Sequence, residues 1–107
     1  MSRFEFKVGD VVRSTYRGRW VGVVLDRRSQ ADAEPLYELR AVLEPNGRPM
    51  SKHIRSKVFL RSERWLRAYR PRSAEEVEVI RLWSDPETRW SQLPEAARQM
   101  KRGGGPS

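Results

Sequence analysis

Cysteine is absent from this chain, and histidine occurs once, at position 53. Without cysteine the protein has no disulfide, no thiolate metal ligand and no thiol nucleophile. This absence is typical of a reducing compartment, so we expect a cytoplasmic protein. No apolar run approaches the roughly 18 residues that a membrane span requires, and the N-terminus has no apolar signal core. We therefore expect no membrane partner.

Catalytic groups are also scarce. His53 stands in a basic run with Lys52, Arg55 and Lys57, and a lone loop histidine is usually inert. Asp10 and Asp26 bracket a predicted hairpin, where turn or salt-bridge roles account for them. Neither a glycine-rich phosphate loop nor a metal-ligand spacing is present. The sequence predicts a protein that is not an enzyme and that uses no cofactor or metal.

Positive charge is abundant and unevenly distributed. The chain has 107 residues and a formal net charge of +8. Residues 1–70 carry 16 Lys and Arg against 8 Asp and Glu, whereas residues 71–107 carry 6 of each. This asymmetry favours a polyanionic partner for the first segment and a different role for the second. The alternative is an arginine-rich composition without a partner.

The stretch from Lys7 to Arg28 predicts two short strands joined by a polar, arginine-bearing loop. Val21, Val23 and Leu25 alternate on one side of the second strand, because strand side chains have a period of two. Gly22 lies within that strand, where a missing side chain marks a bend or a close backbone approach. Bending of short strands is what closes a small barrel.

Further strand signals follow a polar loop at 29–35. The alternation over 36–44 places one set of apolar side chains on one face: Tyr37, Leu39, Ala41 and Leu43. A Pro-Asn-Gly turn follows at 44–47, then a polar edge strand at 48–56 and another strand at 57–61. The segment 62–69 breaks the alternation and predicts a helical turn.

A resemblance to a known family enters at the first hairpin. The pair Gly9-Asp10, the following valines, Arg17-Gly18 and Gly22-Val23 resemble the start of SH3-like small barrels of the KOW and Tudor groups. The match covers roughly the first two-thirds of the chain. The resemblance implies a mainly β protein, a small five-stranded SH3-like barrel, here followed by a C-terminal helical extension.

The C-terminal segment predicts short helices. Ser73 and Glu76 form a capping-box pattern before a helix over 74–83, with Val77, Ile80 and Trp83 or Ser84 on one stripe. Asp85-Pro86 predicts a second short helix through residue 93, and Pro94 a third. We expect an SH3-like barrel over 1–70, a helical extension over 71–102 and a disordered tail over 103–107.

Arginines and aromatics interleave around the first hairpin, and a second basic group follows residue 51. Arginine forks match phosphate oxygens, and exposed aromatic faces stack on bases. The candidate nucleic-acid contacts are Arg13, Tyr16, Arg17, Arg19, Trp20, Arg28, Lys52, Arg55, Lys57, Arg61, Arg64 and Arg67. The alternative is that Trp20 packs into the barrel end and the arginines are solvated.

Two other sets of aromatics suggest other partners. Tyr16, Trp20, Tyr37 and Trp65 are a candidate cage for a methylated lysine or arginine, with Asp26 as the nearby acid; core packing is the favoured interpretation. The apolar tail residues Trp83, Trp90 and Leu93 either dock on another protein or fold back on the barrel, and folding back is favoured.

The function expected from the sequence is that of a non-enzymatic basic module that binds the backbone of RNA or DNA with little sequence specificity. One alternative is a protein-interaction adaptor that docks on transcription or translation machinery. The other is a structural subunit of a particle that contains nucleic acid.

Overall fold

The computed structural model describes residues 4–101 and contains five strands and short helices. The strands are β1 (Val11–Ser14), β2 (Val21–Gln30), β3 (Ala33–Leu43), β4 (Phe59–Ser62) and β5 (Leu66–Ala68). The helices are α1 (Lys52–Arg55), α2 (Ala74–Trp83) and α3 (Glu95–Arg98), with single 3-10 turns at Glu63–Trp65 and Trp90–Gln92. The tail predicted to be disordered, 103–107, lies outside the described residues.

All five strands form one antiparallel sheet in the order β4-β3-β2-β1-β5. A mainly β fold with five strands is therefore confirmed. The sheet is not closed into a barrel within residues 4–101, because β4 pairs with β3 and β5 pairs with β1, at opposite edges. The 3-10 turn at Glu63–Trp65 joins β4 to β5. The helical turn predicted for 62–69 is therefore found only in its first part, and Leu66–Ala68 form a strand that was not predicted.

The β2–β3 hairpin is longer than predicted and replaces the expected polar loop at 29–35. Gln30 pairs with Ala33, so only two residues make the turn. Asp32 permits this because it adopts a φ of 60°, a left-handed conformation that aspartate tolerates better than most residues. Register shifts interrupt the pairing, and one of them falls between Val21 and Gly22, as expected of a glycine within a strand.

The core lies on the face of β3 that the alternation predicted. All four of the predicted core residues of that strand are fully buried: Tyr37, Leu39, Ala41 and Leu43. Val42, expected on the opposite face, is also fully buried, because α2 and the 49–50 segment pack near this part of β3.

The polar edge strand predicted for 48–56 is wrong. Only Pro49 bridges to Leu43, and α1 follows, with Ser51 Oγ accepting from the amide of Ile54 at 3.4 Å. Proline offers no amide proton to extend a ladder, and serine is a favourable N-cap, so the chain turns into a helix instead. The turn at 44–47 is as predicted: the Gly47 amide donates to Glu44 O at 2.8 Å, and Gly47 has a φ of 93°.

Helix α2 has the predicted bounds and cap, since Ser73 Oγ accepts from the Glu76 amide at 3.0 Å. Its buried stripe is rotated around the helix axis relative to the predicted stripe. Val79, Ile80 and Trp83 are buried, whereas Val77 is 51% exposed. Trp83 sets this orientation, because its indole Nε1 donates to Met50 O at 2.7 Å and its ring is fully buried.

The second helix predicted from Asp85-Pro86 does not form, and only the 3-10 turn at Trp90–Gln92 is found. The backbone oxygens that would begin this helix accept hydrogen bonds from Arg55 instead. The Arg55 guanidinium donates to the oxygens of Asp85, Pro86 and Thr88 at 3.1, 3.2 and 3.2 Å. The third helix does follow Pro94, as α3.

The predicted protein-docking residues are not available as a surface anchor. Trp83 and Leu93 are 0% and 3% exposed, and Trp90 is partly buried, with its ring edge-on to Trp83 at 5.8 Å. The tail thus folds back, because these rings cover the apolar surface of the sheet. Among residues 4–101, no helix is both long enough and apolar enough to cross a membrane.

Replacing Trp83 by Ala should lower the free energy of unfolding by ~3–5 kcal/mol, because a fully buried indole leaves a cavity. Urea denaturation followed by far-UV circular dichroism measures the change. Val77→Ala on the same helix is the control and should stay within ~0.5 kcal/mol. An unchanged midpoint for Trp83→Ala would show that the helices are not packed on the sheet in solution.

Candidate nucleic-acid interface

The loop between β1 and β2 is held against the 3-10 turn that precedes β5. The Thr15 amide and Thr15 Oγ1 both donate to the carbonyl oxygen of Trp65, at 2.8 and 3.0 Å. The loop reverses at Arg17 and Gly18, which have φ values of 52° and 103°. Two segments that are far apart in the sequence therefore meet at one end of the sheet.

Tyr16 and Trp65 form an aromatic pair at this junction. Their ring centroids are 5.2 Å apart with an interplanar angle of 33°, and both residues are exposed. From the sequence, Tyr16 is predicted to lie in the interface, whereas Trp65 is predicted to belong to a methyl-lysine cage or to the core. The arginines on either side of Trp65 in the sequence, Arg64 and Arg67, were the available signal of a surface position.

Two arginines approach the ring of Tyr16 from the two segments. The guanidinium carbon of Arg17 lies 5.5 Å from its centroid, and that of Arg61 lies 5.4 Å away. Arg17 Nε also donates to the Tyr16 hydroxyl at 3.2 Å. These are cation–π distances, so the aromatic pair and the charges are parts of one surface.

Arg61 is the more enclosed of the two. Its guanidinium also packs on the rings of Trp20 and Phe59, at 5.6 and 5.5 Å, and its buried Nε has no hydrogen-bond partner among the described residues. Burial lowers the pKa of Arg61, the Tyr16 hydroxyl opposes this shift, and the charge of Arg17 adds to it. Arg61 is therefore a partly desolvated cation with donor capacity left over.

Arg13 and Arg67 stand directly opposite each other on β1 and β5. Like charges at opposite positions repel, so this arrangement costs stability unless an anion lies nearby. Arg13 reaches the backbone oxygen of Arg19 at 2.6 Å and packs on Tyr69 at 5.0 Å, while Arg67 donates to nearby carbonyls.

We call five arginines on these segments the arginine cluster: Arg13, Arg17, Arg61, Arg67, and Arg19, which joins them through its backbone oxygen. None of them forms a salt bridge within residues 4–101. Two other predicted contacts are neutralised: Arg64 pairs with Glu34 at 2.5 Å, and Arg28 pairs with Glu38 at 3.4 Å. The cluster therefore holds positive charge that the described part of the chain does not balance.

The two predicted lysines lie elsewhere. Lys52 is in α1 and Lys57 follows it, and both are exposed. Within residues 4–101, no hydrogen bond or ring contact joins either of them to the arginine cluster. The second basic group of the sequence is thus divided, with Arg61 and Arg67 in the cluster and the lysines outside it.

Two of the predicted nucleic-acid contacts, Trp20 and Arg55, are almost completely buried. Trp20 is 7% exposed and stacks on Phe59 with centroids 5.2 Å apart, so its faces are covered. Arg55 is 5% exposed, lies 3.5 Å from the centroid of the Trp83 ring and satisfies three loop carbonyls. Both residues are structural, because no phosphate or base can reach them.

The candidate methyl-lysine cage is incomplete: Tyr16 contacts Trp65 and shares the Arg61 guanidinium with Trp20, but Tyr37 lies apart. Tyr37 is fully buried, with its hydroxyl donating to Glu63 Oε1 at 2.7 Å; burial and that carboxylate raise its pKa. Asp26 lies on β2 opposite Glu38, three residues beyond the Val11–Val23 pair and away from Tyr16. The exposed pair therefore has arginines rather than an acid beside it.

The residues considered for chemistry are also apart. Asp10 Oδ2 accepts from the Lys7 amide at 2.9 Å, a turn role, while His53 is exposed in α1. Within the described ranges, no group of three His, Cys, Asp or Glu is placed to hold a metal ion.

No family model, curated protein or solved structure matches this chain.

Gly22→Ala should destabilise the protein by ~1–3 kcal/mol, because the new Cβ would lie 2.7 Å from the Trp20 ring and 3.0 Å from Arg40 O. Thermal denaturation measures the loss. Trp20→Phe should recover part of it in the double variant, since the smaller ring makes room for the methyl group. Strict additivity of the two changes would contradict the close packing of Trp20 on Gly22.

Proposed function

We propose that this protein is a non-enzymatic module that binds the sugar-phosphate backbone of nucleic acid through the arginine cluster. The observation that carries the proposal is the meeting of two distant segments, which places Arg17 and Arg61 on the Tyr16 ring and Arg13 opposite Arg67, all four without salt bridges within residues 4–101. Guanidinium forks bind phosphate oxygens in a bidentate way, and neutralised phosphates release counterions.

The fold proposal is an SH3-like sheet related to the small barrels. The strand order β4-β3-β2-β1-β5 and the helical turn between β4 and β5 support it, together with the bent β2. In such an arrangement the β1–β2 loop and the β4–β5 turn lie at one end and form a joint ligand surface.

The adaptor alternative could dock through the sheet or through the tail, and the tail route loses support because Trp83 and Leu93 are buried inside the molecule. The particle-subunit alternative uses the same arginine cluster and the same chemistry. It differs only in that the protein would be a subunit of a larger assembly.

Arg17→Ala with Arg19→Ala should weaken binding to generic DNA and RNA at all sequences and flatten the salt dependence. Each phosphate contact contributes ~0.7–0.9 log units of affinity per log unit of salt, so the slope should fall by about that amount per lost contact. Fluorescence anisotropy across a salt series measures both quantities.

The matched control is Arg81→Ala with Lys101→Ala, which removes the same charge from the helical layer. This variant should retain the wild-type slope. Equal losses in the two variants would show that only net charge matters, and absence of binding even at low salt would reject the proposal.

A further inference from the structure

The exposed tyrosine and tryptophan side chains of residues 4–101 lie against each other as a pair. Among four tryptophans, three tyrosines and three phenylalanines, only Tyr16 and Trp65 belong to the exposed large hydrophobic residues, at 38% and 39%. Folded chains normally cover aromatic area of this size, as Trp20 and Trp83 illustrate. A pair of partly exposed rings at one position indicates a surface that a flat ligand can cover.

The pair is positioned by backbone contacts rather than by its own rings. Thr15 binds the Trp65 carbonyl twice, and the buried Ser14 donates its hydroxyl to Tyr16 O at 3.1 Å. Because these contacts hold the loop in place, little conformational entropy is lost when the rings are covered. The side chains can also be replaced without removing these contacts.

The charge around the pair selects the ligand. Arg17 and Arg61 lie within 5.5 Å of the Tyr16 centroid, and neither forms a salt bridge with residues 4–101. A cationic ligand such as a methylated lysine would be repelled here. A flat group linked to an anion satisfies both the rings and the guanidinium groups, and a nucleotide has this chemistry.

We propose that the Tyr16–Trp65 pair stacks on unpaired bases, so that the module prefers single-stranded nucleic acid to duplex. This inference rests on the proposed function and adds the ligand class to it. In a duplex the base faces are covered by their neighbours, so only the backbone contacts of the arginine cluster remain. In a single strand, stacking on the pair adds to those contacts.

The test compares three ligands of equal length: an oligothymidylate, an abasic strand and a duplex. The wild type should bind the oligothymidylate most tightly, because only that ligand offers both phosphates and free base faces. Trp65→Ala should weaken binding to oligothymidylate by ~5- to 150-fold and leave the other two affinities unchanged.

Three variants sharpen the assignment. Tyr16→Ala should reproduce the effect of Trp65→Ala, whereas Trp65→Phe, which keeps a ring face, should restore most of the preference. Val58→Ala is the matched control, since Val58 is 49% exposed outside the pair. Circular dichroism of each variant establishes that it is folded.

The outcomes separate this inference from the proposed function. Equal, salt-dependent affinities of the wild type for all three ligands would overturn the stacking platform and leave backbone binding intact. A single-strand preference that survives in both alanine variants would also overturn it. Failure to bind any of the three ligands at low salt would reject the proposed function itself.

Discussion

The packing of Arg55 on Trp83 holds the C-terminal half of the molecule to the sheet. The guanidinium carbon lies 3.5 Å from the ring centroid, and its N–H groups donate to three backbone oxygens of the loop after α2. Burial lowers the pKa of Arg55, and nearby Arg40 adds to the shift. Its buried Nε has no hydrogen-bond partner among the described residues, so the remaining donors depend on the loop keeping the non-helical shape that presents these carbonyls. The positions of Trp90, Leu93 and α3 follow from that shape.

The fold also separates arginines that form salt bridges from arginines that do not. Glutamates pair with arginines over β2, β3 and the helical layer, as in the Arg28–Glu38, Arg48–Glu44, Arg72–Glu76 and Arg81–Glu78 pairs. Around the β1–β2 loop, among the residues described, there is no such pairing. The short helices α1 and α2 contact β3. The exposed rings of Tyr16 and Trp65, and the arginines without salt bridges, lie around the β1–β2 loop.

The candidate site could be predicted only in part from the sequence. Arg13, Tyr16, Arg17 and Arg19 were identifiable because they crowd a single loop and its flanks. Arg55 and Trp20 were assigned to the same surface because residue type does not reveal which way a side chain points. Trp65 was not assigned to it, because its role depends on the Thr15 contacts, which join positions fifty residues apart. Interleaved arginines and aromatics therefore predict a class of ligand, whereas only the fold shows which of these residues share one surface.

Local rules in the sequence determined the strand alternation of β3, the Pro-Asn-Gly turn, the bounds of α2 and the helix after Pro94. Each of these depends on contacts within about one turn or one strand, where propensity and capping dominate. Tertiary structure decided the remainder: the α1 helix in place of an edge strand, the irregular loop after α2, and the exposure of the Tyr16–Trp65 pair. The reason is physical, since each of these outcomes is set by hydrogen bonds and ring contacts between distant segments, whose free energy exceeds the small local preferences.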